Sequence, residues 1–145
     1  MRVQESMTKV VRIADPNQPI SAAAKMMAEC DCGALPVAEN ERLAGMITDR
    51  DIAVRAVAKG KGPETPIREV MSQGICYCFE DQDLSEVAAN MADIQVRRLP
   101  VLNRDKRLVG ILSLGDIALT DGEAQDCAQA LSGISEHGGQ HTQAM

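Results

Sequence analysis

Gly45, Thr48 and Asp51 stand three residues apart, and Gly110, Ser113 and Asp116 repeat that spacing. A glycine late in a strand permits close approach by a neighbour or a ligand. The hydroxyl follows at a strand-to-helix junction. A helix N-terminus offers unpaired N–H groups and the positive end of a dipole, which suits phosphate, and the hydroxyl adds a donor there. The carboxylate sits about one turn into the helix on the same side. It accepts two hydrogen bonds from neighbouring hydroxyls, as the 2′ and 3′ positions of a ribose would offer. A phosphate reader and a ribose reader on one short segment describe a nucleotide site. Thr or Ser followed by Asp at a helix start is also what plain capping looks like. Two copies with one internal spacing favour the ligand, although a repeat preserves capping in both copies as well.

The copies belong to a repeat that spans most of the chain. Leu35-Pro36-Val37 returns as Leu99-Pro100-Val101, residues 35 and 99 being 64 apart. Met7-Thr8 and Met71-Ser72, Gln18 and Gln82, Ser21 and Ser85, Ala24 and Ala88, and Met27 and Met91 keep that separation. Gly45-Met46-Ile47-Thr48 and Asp51-Ile52-Ala53 return one residue later, as Gly110-Ile111-Leu112-Ser113 and Asp116-Ile117-Ala118. One residue is therefore inserted in the intervening turn, where insertion costs least.

These segments need elements to position them. Val10 to Ala14 reads as a strand. Asn17 suits a helix cap and Pro19 an early helical position. Ile20, Ala23, Ala24 and Met27 fall on one helical face. Ala34 to Ala38 and Leu43 to Thr48 read as strands around the polar turn Glu39-Asn40-Glu41, and Asp51 to Ala58 as a helix. Lys59-Gly60-Lys61-Gly62-Pro63 forms a linker. The second copy follows as Ile75–Phe79, Leu84–Met91, Leu99–Leu102, Leu108–Ser113 and a helix from Leu114. The predicted fold class is α/β (α+β), with two tandem βαββα repeats over residues 1–62 and 63–120, packed by pseudo-two-fold symmetry. A unit this small buries its apolar face poorly alone. Residues 121–145 form a tail: Ala124, Cys127, Ala128, Leu131 and Ile134 are spaced for an amphipathic helix, and Gly138 to Gln143 looks frayed.

Composition narrows the function. Of 145 residues, 45% are hydrophobic but only 1% aromatic, and the formal net charge is −6. Without rings to stack bases on, and without a basic face, nucleic acid is not an expected partner. No transmembrane-length stretch and no signal peptide are visible, so a cytoplasmic protein is expected. Five cysteines, an odd number, are then expected as free thiols.

The Leu-Pro-Val strand, the Gly-x-x-Thr/Ser-x-x-Asp segment and the order of elements resemble the CBS domain over about Met7 to Leu119. Two in tandem resemble a Bateman module, and the chain is similar to small stand-alone bacterial CBS pairs, including the hypoxic-response type. The resemblance implies two symmetry-related clefts binding AMP, ADP, ATP or S-adenosylmethionine, with Asp51 and Asp116 holding ribose and Thr48 and Ser113 holding phosphate. It implies that Val11, Arg12, Cys32 and Gly33 join Asp116, and that Ile75, Cys76, Val96 and Arg97 join Asp51. Met46 and Ile111 would supply apolar walls. Arg97 stands where Gly33 stands in the first repeat, so unequal affinities are expected. Arg50, Arg55 and Arg104 are further phosphate candidates. The resemblance also implies a homodimer of CBS pairs and, since no effector domain is present, an effector protein whose identity the sequence does not give.

Two other readings compete. Cys30-x-Cys32 and Cys76-x-Cys78 suggest a thiol or metal sensor, although structural zinc pairs usually leave two to four residues between ligands. A purely structural dimerisation module with empty clefts is the other. No catalytic residues, metal site or required cofactor are expected: nucleophile elbow, metalloprotease motif and phosphate loop are all missing, and the two motif carboxylates belong to separate clefts.

Overall fold

Ile20, Ala23 and Met27 are buried along one face of α1 (Ile20–Cys30). In the computed structural model, which describes residues 1–9, 12–120 and 124–136, Ala24 of the same predicted stripe is exposed. Pro19, in extended conformation, occupies the cap position of α1, with no side-chain cap. The expected cap, Asn17, instead takes a hydrogen bond from Arg68 through its side-chain oxygen. Strands β2 (Ala34–Glu39) and β3 (Arg42–Thr48) follow as an antiparallel hairpin. Asn40 and Glu41 connect them with φ of 54° and 66°, the backbone of a two-residue turn whose twist matches the strands. Leu35, Val37 and Ile47 of the hairpin close over α1 together with Ile67 and Val70, so the linker runs on past the predicted Pro63 to Ile75, where this unit ends. The linker is tied down by Ile20 N–H to Thr65 O (2.8 Å) and Ile67 N–H to Gln18 O (2.8 Å).

The helix after β3 begins as α2 (Asp49–Asp51), widens to a π turn over Ile52–Ala56 and tightens to a 3₁₀ turn over Val57–Lys59. The uniform helix predicted over Asp51 to Ala58 is thus three windings. The β-branched Ile52, Val54 and Val57 weaken regular α geometry there.

The second copy holds β4 (Cys78–Phe79), α3 (Leu84–Ile94), β5 (Arg98–Leu102), β6 (Leu108–Ser113) and α4 (Leu114–Ala118), preceded at the N-terminus by β1 (Thr8–Lys9). The sheet runs β1-β6-β5-β4. Both hairpins carry a register shift at the same place, after Val37 and after Val101. The extra residue of the second turn is absorbed by Asn103, whose side-chain oxygen accepts from the N–H groups of Asp105 and Arg107, both at 3.0 Å. Asp83 caps α3 by accepting from Ser85 N–H at 2.9 Å.

The opening strand of each copy is shorter than predicted. Val10 and Val11 lie outside the described residues. Of the rest of that segment only Ala14 bridges, in parallel with Val37, and Pro16 has no N–H with which to extend the ladder. In the second copy β4 is only Cys78–Phe79.

The compact units are cut differently from the repeats. One is Val11–Ile75; the other is Met1–Val10 with Cys76–Met145. The N-terminal segment adds to the sheet of the second copy, Thr8 pairing with Ile111 and Lys9 with Gly110. The linker adds to the first copy, where Met46 bridges Ser72. The tail helix α5 (Ala124–Ile134) belongs to the second copy's unit and packs on α3 and α4. Its buried face differs from the predicted one. Ala130 is fully buried whereas Leu131 is 49% exposed, because contact here depends on small residues: a Cβ at Gly133 would lie 2.6 Å from Ala92 Cβ. The tail's predicted frayed stretch lies outside the described residues.

Candidate functional site

The motif glycines serve the fold first. A Cβ on Gly45 would lie 2.5 Å from the Ser72 carbonyl oxygen, and one on Gly110 would lie 2.7 Å from Met7 Sδ and 2.8 Å from Thr8 O. The close neighbour is protein in both copies, and it is the Met-Thr or Met-Ser segment that the repeat also preserves. This crossing strand fixes the end of β3 or β6, and so the start of the helix that carries the motif carboxylate.

Thr48 and Ser113 are the caps of those helices. Thr48 Oγ1 accepts from Asp51 N–H and Asp51 Oδ2 accepts from Thr48 N–H, both at 3.0 Å. Ser113 and Asp116 make the same reciprocal pair, again both at 3.0 Å. The capping reading is realised in full. Each hydroxyl uses a lone pair in the cap and keeps its proton to donate; each carboxylate uses Oδ2 and keeps lone pairs on Oδ1.

The surroundings of Oδ1 differ between copies. Arg55 Nε lies 3.9 Å from Asp51 Oδ1, while Arg55 Nη1 donates to the carbonyls of Val70 (3.3 Å) and Met71 (3.2 Å). At Asp116 the corresponding group is a hydroxyl: Thr8 Oγ1 donates to Asp116 Oδ1 at 3.2 Å. Thr120, which occupies the position of Arg55, donates to the Asp116 carbonyl at 2.8 Å and shares a 2.6 Å hydrogen bond with Ser6. One carboxylate thus has a cation beside it and the other a hydroxyl. Sequence reasoning missed Thr8 as a partner of Asp116, although a hydroxyl at both Thr8 and Ser72 was the signal for it.

The remaining predicted residues divide between the units. Met46, Arg12, Cys32, Gly33 and Ile75 lie in the unit of Thr48 and Asp51, whereas Ile111, Cys76, Val96 and Arg97 lie in that of Ser113 and Asp116. Gly33 O accepts from Asp49 N–H, and Arg97 O accepts from Leu114 N–H, both at 2.9 Å. Each therefore sits at the foot of the motif helix of its own unit. Arg12 pairs with Glu29 on α1 at 3.0 Å. Val96 packs on its own core. Val11 lies outside the described residues. Arg104, a phosphate candidate, is already engaged: it holds Asp81 through two nitrogens at 2.8–3.1 Å and lies 4.1 Å over the Phe79 ring. Its hydrogen bond and charge hold the Asp81 carboxyl below the usual carboxylate range.

The cysteines are not all free. Cys30 and Cys32 form a disulfide with Cα atoms 5.3 Å apart, within the ordinary span of about 4.4–6.8 Å. The expectation of five free thiols fails because Asp31, between them, takes the left-handed conformation that ends α1. Cys76, Cys78 and Cys127 are free. Cys76 and Cys78 do not share a face: Cys76 precedes β4 and is exposed, whereas Cys78 is buried and burial pushes its thiol up to about 12. Among the described residues no three His, Cys, Asp or Glu side chains form a group able to hold a metal ion. No helix among them is long and apolar enough to cross a membrane.

The CBS domain model matches residues 3–57 and 67–120. The chain belongs to the CBS-domain family. This CBS pair is 41% identical over 133 residues to the CBS domain-containing protein YhcV of Bacillus subtilis (strain 168), covering 92% of the chain and 94% of that protein. It superposes on the crystal structure of Hypoxic Response Protein I, which holds two coordinated zinc ions, with a TM-score of 0.74 and 37% identity, covering 81% of the chain and 97% of that structure. It superposes on the CBS domain pair of protein MJ0100, crystallised with 5′-methylthioadenosine and S-adenosyl-L-methionine, with a TM-score of 0.72 and 29% identity, covering 81% and 93%. Its α/β fold is that of CBS-pair proteins.

Proposed function

We propose that this CBS pair is a regulatory module that binds an adenosine-type ligand (AMP, ADP, ATP or S-adenosylmethionine), passes its occupancy to an effector protein and catalyses nothing itself. The observation that carries this reading is the twice-built cap. Thr48 and Ser113 each keep a hydroxyl proton to donate; Asp51 Oδ1, beside Arg55, and the lone pair of Asp116 Oδ1 that Thr8 leaves open are the acceptors for ribose hydroxyls. The adenosine ligands of the MJ0100 domain pair support the ligand class. The further contacts are those that the resemblance implies: Val11, Arg12, Cys32 and Gly33 toward the ligand of Asp116, and Ile75, Cys76, Val96 and Arg97 toward that of Asp51, with Met46 and Ile111 as apolar walls. Arg55 beside Asp51 favours a phosphate-bearing ligand at that copy. The ligand acts by favouring the arrangement that fits it. The cytoplasm is the compartment of this reading.

Titration calorimetry of the ligand-stripped protein with AMP, ADP, ATP and S-adenosylmethionine tests it. Micromolar binding is expected. Asp116→Ala should weaken its site by about 1.5–3 kcal/mol, the worth of hydrogen bonds to a charged group. Because Asp116 also caps α4, Asp116→Asn is the companion variant: it retains a side-chain acceptor for the cap but lacks the charge. Unchanged affinity in both variants defeats the assignment, and no binding of any of the four ligands defeats the function.

A second feature supports the homodimer in this reading. Val54 and Leu119 hold equivalent positions after the two motif carboxylates, and they are 45% and 87% exposed. Apolar residues uncovered at both repeats suit a symmetric self-contact.

A further inference from the structure

In α1 the residues on either side of the left-handed cap are Cys30 and Cys32; in α3 the same places hold Ile94 and Val96 around Gln95. Asp31 (φ 52°, ψ 48°) and Gln95 (φ 58°, ψ 45°) have the same conformation. The N–H groups of Cys32 and Val96 return to Met27 O (3.1 Å) and Met91 O (3.2 Å). All four flanking side chains are partly buried against their own cores. In the second copy both side chains at the cap pack on the core, whereas in the first the same places bring two sulfurs into a bond. A bond that closes a loop over one residue constrains the unfolded chain far less than a long-range one, so stability is a weak reason for it. Partial exposure leaves it open to small thiols and disulfides, whereas the buried Cys78, with its raised thiol, is inert.

We propose that Cys30 and Cys32 are a thiol–disulfide exchange site that switches ligand affinity, an inference that rests on the nucleotide reading above. The co-reactant is a low-molecular-weight disulfide such as oxidised glutathione. The thiolate of one cysteine attacks a glutathione sulfur, breaking the glutathione disulfide, forming a mixed disulfide and releasing one glutathione thiolate. The other cysteine thiolate then attacks the protein sulfur and releases the second glutathione. Two electrons pass from the cysteine pair to glutathione, and the two cysteine protons leave to the solvent or to the departing thiolates. Oxidation ties Cys32 back to the end of α1, next to Gly33, whose carbonyl holds the start of α2, and beside Glu29, which pairs with Arg12. The bond therefore adjoins the residue that anchors α2, the helix that carries Asp51 in the same unit. Reduction frees Cys32 and restores affinity.

The test uses the full chain with its native cysteines, the peptide map telling a Cys30–Cys32 bond from any adduct of the exposed Cys76. It is equilibrated with oxidised or reduced glutathione, alkylated and mapped by peptide mass, then titrated with AMP and S-adenosylmethionine. The expected result is a Cys30–Cys32 bond in oxidised glutathione, its loss in reduced glutathione, and at least tenfold tighter binding by the reduced form. The Cys30→Ser, Cys32→Ser variant should bind equally under both conditions. No Cys30–Cys32 bond in folded, oxidised protein overturns the proposal, as does equal affinity of the two forms. No binding by either form is a different result: it rejects the nucleotide reading, and the switch with it.

Discussion

At the scale of single residues, the glycine of the motif and its hydroxyl and carboxylate have separate tasks. Gly45 and Gly110 make room for a crossing backbone, so Gly45→Ala and Gly110→Ala should each cost about 1–3 kcal/mol by overpacking. The check is a lower denaturant midpoint with an unchanged m-value. If either alanine variant keeps the wild-type midpoint, the crossing segment yields and the close approach is not what requires glycine. Cys78 gives a pH prediction. Burial pushes its thiol up to about 12 in the folded chain from its ordinary 9.0. The neutral thiol is therefore the folded form, and its contribution is fully present below pH 9 and lost as pH rises through 12. Between those values stability should fall by about 1.4 kcal/mol per pH unit from this group. Melting temperatures measured across that range should show the fall, and Cys78→Ala should remove that part of it.

At the scale of elements, the two copies share a hairpin, a bulge and a left-handed helix end, but among the described residues only the second has a covering helix. α5 approaches α3 closely enough that Gly133 has no room for a Cβ against Ala92. Gly133→Val should therefore loosen α5 and cost about 1–3 kcal/mol. Hydrogen exchange should quicken in α5 and on the α3 face under it, while the hairpin of the first copy keeps its protection. Uniform loss of protection across both copies would mean that α5 is integral to one cooperative fold and not an added cover. The motif helices show how local chemistry decides an element's start: a reciprocal cap sets residue 49 or 114 as the first helical residue in each copy. Their continuations diverge, since the first copy has β-branched residues and π winding where α4 stays regular.

At the scale of the molecule, the homodimer proposed above predicts where added charge would break it. Val54→Glu with Leu119→Glu places charge at the equivalent uncovered positions of both repeats. The expected outcome in sedimentation velocity is a dimer for the parent chain and a monomer for the double variant, with unchanged far-ultraviolet dichroism. A dimer that survives the double substitution would place self-contact on some other surface.

The sequence by itself determined the repeat, the class of fold, the helix–strand–strand order within each copy and the pairs Thr48–Asp51 and Ser113–Asp116. These follow from spacing and periodicity, which act over a few residues and are written in the chain. It also pointed to the insertion in the second turn, which Asn103 absorbs through its own side chain. Tertiary structure decided the rest. Which segment crosses Gly45 and Gly110 depends on strands that join from outside the repeat they serve, and no local pattern reports such pairing. That Arg104 is occupied by Asp81 and Phe79, that Thr8 reaches Asp116, and that Leu131 faces outward are outcomes of packing between residues distant in the chain. The Cys30–Cys32 bond lies between the two. Its partners are neighbours in sequence, but only the left-handed residue that ends α1 turns their sulfurs toward each other.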